Sequence, residues 1–159
     1  MGRDEKKDPN KIVAQNRRAR FDYELVETFE CGIVLTGAEV KSLRAGQASL
    51  SEAFARVRDG EIWLENMHIP PYEQAHKSQV DYDPRQRRKL LLHKREITRL
   101  ISKTAERGLT LVPVKVYFFH GLAKCTLSLG KGKKEHEKRA SIAERDAKRD
   151  IERESGRRG

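Results

Sequence analysis

Cysteine is nearly absent from this 159-residue chain, with Cys31 and Cys125 far apart. Neither has a C-x-x-C partner or a paired histidine spacing, which excludes a zinc ribbon, a thioredoxin-like motif and a disulfide framework. Both fall among apolar residues on strand-like segments, the setting of small core side chains. The five histidines (His68, His76, His93, His120, His136) show no metal-ligating spacing, so no metal site is expected. No apolar run approaches the ~20 residues of a membrane span; the longest are LLL and LTLVPV. The opening MGRDEKKDPNK has no apolar signal region, and Lys6 stands where a myristoylation motif wants Ser or Thr. These absences predict a soluble, cytoplasmic protein with no membrane partner. Also missing are G-x-S-x-G, a phosphate-binding loop and any Asp/His cluster of recognisable spacing. Glu135-His136-Glu137 lies in the segment least able to hold a fixed geometry, which catalysis requires. No enzyme activity and no cofactor are expected.

Positive charge is what the chain has in abundance: a formal +10 and a pI near 9.8, with 36% charged residues and only 6% aromatic. That balance favours a polyanionic partner, nucleic acid or acidic lipid. The last thirty residues hold eleven Lys and Arg against seven acids, and no aromatic. Residues 131–159 therefore read as a basic tail that cannot offset its ordering entropy by burial, disordered when free. Ser141 and Glu144 form a capping box and the tail stays helix-compatible until Gly156, but like-charge i,i+4 pairs such as Arg145/Arg149 oppose a free helix.

Between a flexible leader (1–11) and the tail, residues 12–130 read as one antiparallel β domain. YELVETFECGIVL alternates, with Tyr23, Leu25, Phe29, Cys31, Ile33 and Leu35 on one parity and Gly32 as the bend. Thr36 and Glu39 form a capping box that opens a short helix carrying Lys41 and Arg44 outward, closed by Gly46. Residues 53–58 and 61–67 make a hairpin around Asp59-Gly60. A long proline-bearing loop runs from His68 to about Arg88. Ile97, Leu100, Ile101 and Thr104 share helical spacing up to a stop at Gly108. LTLVPVKVYFF and LAKCTLSL then pair around His120-Gly121, with Pro113 near an edge or a bulge. About six strands and two or three helices without βαβ rhythm predict a mainly β fold. The architecture expected is an OB-type antiparallel barrel with peripheral helices.

Three basic stretches flank the predicted elements: Asn16-Arg17-Arg18-Ala19-Arg20; Arg85, Arg87, Arg88 and Lys89; and Lys124. On a small barrel they could converge on one phosphate-binding face. Of Leu90-Leu91-Leu92, one must point outward if the segment is a strand.

Three motifs together carry more than composition: NRRARFDY with FECGIVLTGAEVKSLRAG, RKLLLHKREI with GLTLVPVKVYF, and GKGKKEHEKR. In collinear order from about Ile12 to Arg139 they resemble the SsrA-binding protein family, small protein B, the bacterial partner of transfer-messenger RNA. The resemblance implies an OB-type barrel that binds the tRNA-like part of that RNA. It implies delivery of the alanylated RNA to ribosomes stalled on messages without a usable stop codon. Family contact positions map onto Asn16, Glu30 and Leu90, with Arg17, Arg20 and Lys124 beside them; Arg87, Arg88 and Lys89 complete the RNA-binding set. Gly132, Lys133, Lys134, His136, Glu137, Lys138 and Arg139 match the family's tail motif, with Glu137 where Asp is usual. The family picture puts this tail, helical there, in the empty messenger channel next to the decoding centre. The elongation factor and the alanyl-tRNA synthetase that act on the same RNA are implied as further partners. Two other readings remain: a ribosome-associated OB protein with no RNA of its own, and an RNA-processing enzyme.

Overall fold

The computed structural model describes residues 11–72, 81–106 and 108–133, together with Arg139 and Arg149. Seven strands form one antiparallel sheet: β1 (Ile12–Gln15), β2 (Tyr23–Ile33), β3 (Phe54–Arg58), β4 (Glu61–Glu65), β5 (Arg88–Leu91), β6 (Leu109–Phe119) and β7 (Leu122–Gly132). Their order is β1-β6-β7-β2-β5-β4-β3. Among the residues described up to Lys133, three helices accompany them: α1 (Ala19–Asp22), α2 (Gly37–Arg44) and α3 (Lys94–Thr104). The mainly β, OB-like class is as expected, with two differences. There is a seventh strand, β1, and the hydrogen-bonded ladder does not close, since β1 and β3 remain as its two ends. β3 nonetheless comes close to β6, so the sheet curls round a single core.

The turns follow from local chemistry. Asp59 and Gly60 have φ of 52° and 75°, and His120 and Gly121 have 49° and 80°. Two successive positive φ values are what a two-residue turn of type I′ needs to match strand twist, and the Asp-Gly and His-Gly pairs supply them. β2 alternates as its sequence does: Phe29, Cys31 and Ile33 are buried while Thr28 and Glu30 are exposed. Gly32 lies opposite Lys124 on one side and Leu91 on the other, the point where β2 picks up β5 beyond β7. The register shift in β6 falls between Pro113 and Lys115, a bulge at the residue that cannot donate to the ladder. Asn16 Nδ2 donates to the Pro113 carbonyl at 3.1 Å, satisfying an acceptor at that bulge.

The core gathers Phe29, Cys31 and Ile33 of β2, Leu90 of β5, Leu100 of α3 and Cys125, Leu127 and Leu129 of β7. Cys31 and Cys125 are opposite one another in the β2–β7 ladder and fully buried. Burial pushes the Cys31 thiol up to about 12 and that of Cys125 well above its ordinary value, so both are protonated core side chains. Ile101 is exposed, so the inner stripe of α3 is Leu100 with partly buried Ile97.

The predicted capping box is present: Glu39 N donates to Thr36 Oγ1 at 3.2 Å, and Thr36 N to Glu39 Oε1 at 3.0 Å. Glu39 has a second task. Its Oε2 accepts from Arg88 Nε at 2.8 Å and from Gln86 Nε2 at 3.2 Å. Arg88 also donates to the carbonyls of Met67 and Pro84 and to the Tyr82 hydroxyl. This pair ties α2, β5 and the end of the long loop into one buried unit, with Glu39 and Arg88 each 2% exposed.

β7 runs on to Gly132, two residues into the segment assigned to the tail, through the pairs Glu24–Lys131 and Tyr23–Gly132. Lys133 follows it down: its amide donates to the Asp22 carbonyl at 2.9 Å and its ammonium to the Arg20 carbonyl at 2.8 Å. The residues expected to form a helix on the ribosome lie outside the described residues, apart from Arg139 and Arg149, both helical and exposed.

Candidate nucleic-acid interface

Two adjoining hollows run along the outer face of β2 and β7 and meet at Glu30. The first, about 400 Å³, is lined by Asn16, Arg17, Arg20, Glu30, Lys115 and Thr126 among others. The second, about 410 Å³, continues past Glu30 to Gly32, Leu91, Leu122 and Lys124. Another hollow of about 450 Å³, between β1 and residues 48–51, touches this face at Gln15 and Arg17 only.

Local structure explains the gathering. Asn16 directly follows β1 and is fastened to the β6 bulge, by its amide proton to the Val114 carbonyl and its side chain to Pro113. Ala19, buried, roots α1 against the sheet, so that Arg17 and Arg20 stay exposed beside the start of β2. Lys124 lies on β7 opposite Gly32, whose missing side chain leaves the groove floor low. Among the described residues Arg17, Arg20 and Lys124 form no ion pair with an acid, so their charge is available to phosphate.

Glu30 is held by neutral donors. Tyr117 Oη donates to its Oε2 at 2.8 Å, and Thr126 Oγ1 lies 2.8 Å from Oε2 and 3.0 Å from Oε1. Burial, reinforced by the hydrogen bond to Glu30 and its charge, pushes the Tyr117 phenol up to about 12, so it is a donor throughout the neutral range.

None of the predicted basic cluster of the long loop lines these two hollows. Arg88 is buried on Glu39 and cannot reach a phosphate, so the expectation for it is corrected. The desolvation cost of a guanidinium requires a fixed carboxylate partner, and Glu39 is that partner. Leu90 is also corrected: at 1% exposed it belongs to the core, whereas Leu91, one residue on and so on the opposite side of the strand, is 50% exposed and lines the groove. Arg87 lies over the Trp63 ring at 4.8 Å and Lys89 pairs with Glu61 at 3.2 Å, both on the β4–β5 side of the sheet. Arg85 staples its loop to Glu52 and Asn66. Of the tail motif, Lys134, His136, Glu137 and Lys138 lie outside the described residues.

Comparison with known proteins decides the family. The family model described as SmpB protein matches residues 13–157. The chain belongs to the SmpB family. An SsrA-binding protein of Acidothermus cellulolyticus is 57% identical over 148 residues, covering 93% of this chain and 92% of that one. An SsrA-binding protein of Pelotomaculum thermopropionicum is 57% identical over 143 residues, covering 90% and 92%. A chain from a structure described as "tmRNA-SmpB: a journey to the center of the bacterial ribosome" aligns with a TM-score of 0.63 and 54% identity, covering 80% of this chain and 86% of that one. Against that family background, the residues sequence reasoning missed are Lys115, Tyr117, Leu122 and Thr126. Their outward parity on β6 and β7 was visible; their meeting with Glu30 depends on cross-strand register.

Proposed function

We propose that this protein is the RNA-binding adaptor of ribosome rescue. It binds the tRNA-like part of transfer-messenger RNA and brings that RNA to ribosomes stalled without a usable stop codon, for tagging of the unfinished peptide. The observation that carries the interface is the convergence of Asn16, Arg17, Arg20, Glu30 and Lys124 on one continuous groove face. Cations along a groove with no ion pair to a described acid suit a phosphate backbone, and exposed Leu91 and Leu122 beside them offer apolar contact to unstacked bases. Nothing in this reading asks the protein to break or form a covalent bond; it positions RNA.

Beyond Lys133 the basic tail is assigned to the ribosome, its positive side chains ordering against ribosomal RNA at the decoding centre and in the empty messenger channel. The elongation factor and the alanyl-tRNA synthetase that act on the same RNA are further partners in this reading. Among the described residues no helix is long and apolar enough to cross a membrane, and work on ribosomes assigns the protein to the cytoplasm.

Binding should be electrostatic. With roughly four to six phosphates neutralised, log K for the tRNA-like domain falls against log salt with a slope of about −3 to −5. Titration at several salt concentrations measures it, and a slope near zero contradicts a phosphate-binding face.

A further inference from the structure

We infer that Tyr117 and Thr126 are positioning residues for Glu30, holding its carboxylate as a fixed acceptor for an amino group on the edge of an unpaired RNA base. This rests on the RNA-interface reading above and adds what its acidic member does. An acid in a basic groove should weaken phosphate binding or collapse onto the nearest cation. Glu30 has not collapsed onto a cation: it is engaged by two neutral hydroxyls, one from the adjacent β7 and one from β6 beyond it, while Arg17, Arg20 and Lys124 carry no ion pair with any described acid.

The register makes the arrangement possible. Glu30 on β2 is directly opposite Thr126 on β7, which is directly opposite Lys115 on β6. Tyr117, two residues on, reaches diagonally across β7 to the same carboxylate, and Lys115 Nζ lies 5.4 Å above its ring and braces it. Each hydroxyl has one proton, and a carboxylate offers about four acceptor positions. Tyr117 and Thr126 therefore use two of them, and acceptor capacity remains for a ligand on a group that no longer turns freely. Fixing the side chain beforehand removes part of the ordering cost of binding. Base amino groups are the donors a carboxylate selects, whereas phosphates and carbonyl edges are repelled.

The test is a mutant cycle with the transcribed tRNA-like domain of transfer-messenger RNA as ligand. Glu30→Ala should weaken binding by about 10- to 100-fold, the range for hydrogen bonds to a charged group. Tyr117→Phe and Thr126→Val should each weaken it by about 3- to 10-fold, Thr126→Ser should retain it, and thermal unfolding should report folded protein throughout. In the Glu30→Ala background neither substitution should weaken binding further, because both act through the carboxylate. Losses that persist in that background overturn the inference, since the hydroxyls then contact RNA directly or support the fold. Full binding by Tyr117→Phe and Thr126→Val, with Glu30→Ala still impaired, overturns the positioning and leaves the interface standing. Full binding by Glu30→Ala removes the acid from the interface reading itself and takes the positioning with it.

Discussion

Glu39→Ala is expected to destabilise the protein by about 3–5 kcal/mol, because it leaves the Arg88 guanidinium buried without its charge partner. The substitution also removes the acceptor shared by Gln86 and Tyr82 and one half of the α2 capping box. Against a typical total of about 5–15 kcal/mol, such a loss should be plain in denaturant melts. Arg88→Ala should be comparably damaging, since it strands the carboxylate instead. RNA affinity per folded molecule and the salt slope should be unchanged in both, whereas loss of a phosphate contact at Arg88 would reduce the slope by about one. The pH dependence has a definite sign. Burial raises the Glu39 carboxyl, but the Thr36 amide, Arg88 and Gln86 outweigh it and hold it below its ordinary value. Its contribution is therefore complete above the ordinary carboxylate range and is lost as pH falls through the lowered folded value. Glu39→Gln should flatten that acid limb of stability.

A chain ending at Lys133 should keep tight binding of transfer-messenger RNA and lose peptide tagging on stalled ribosomes. The cut is placed there because Lys131 and Gly132 complete the β7 ladder and Lys133 fastens to Asp22 and Arg20; ending at Gly130 would disturb the root of α1. All groove-lining residues lie at or before Lys124 apart from Thr126, so the interface survives the cut. Within the tail, charge reversal at Lys138 and Arg139 should impair tagging more than reversal at Arg157 and Arg158, which follow Gly156. Affinity and tagging, assayed separately, decide the matter. A joint fall makes the tail part of the primary RNA site; no fall in either makes it inert.

Where structure is determined by neighbours in sequence, it was legible. Asp59-Gly60 and His120-Gly121 mark their hairpins, β2 alternates residue by residue, and the Thr36/Glu39 box opens α2. Elements of four residues, β1 and α1, are too short to leave a periodic trace, yet α1 is what sets Arg17 and Arg20 beside the groove. Arg88 was misread because a run of basic residues looks solvated. Strand parity places it with buried Leu90, and its partner Glu39 is 49 residues away. The same parity puts Leu91, not Leu90, on the groove side of β5. Tyr117 and Thr126 were out of reach for another reason: a hydrogen bond across three strands is set by register and by the bulge at Pro113, neither of which alternation alone specifies.

In the function proposed above, the groove along β2 and β7 holds one dedicated RNA. Sequencing the RNA that co-purifies with tagged full-length protein, alongside an Arg20→Glu/Lys124→Glu variant shown to be folded, tests it most directly. Transfer-messenger RNA should dominate the wild-type sample and be lost from the variant. Ribosomal RNA in subunit proportions from both proteins, or transfer-messenger RNA retained undiminished by the variant, would contradict it.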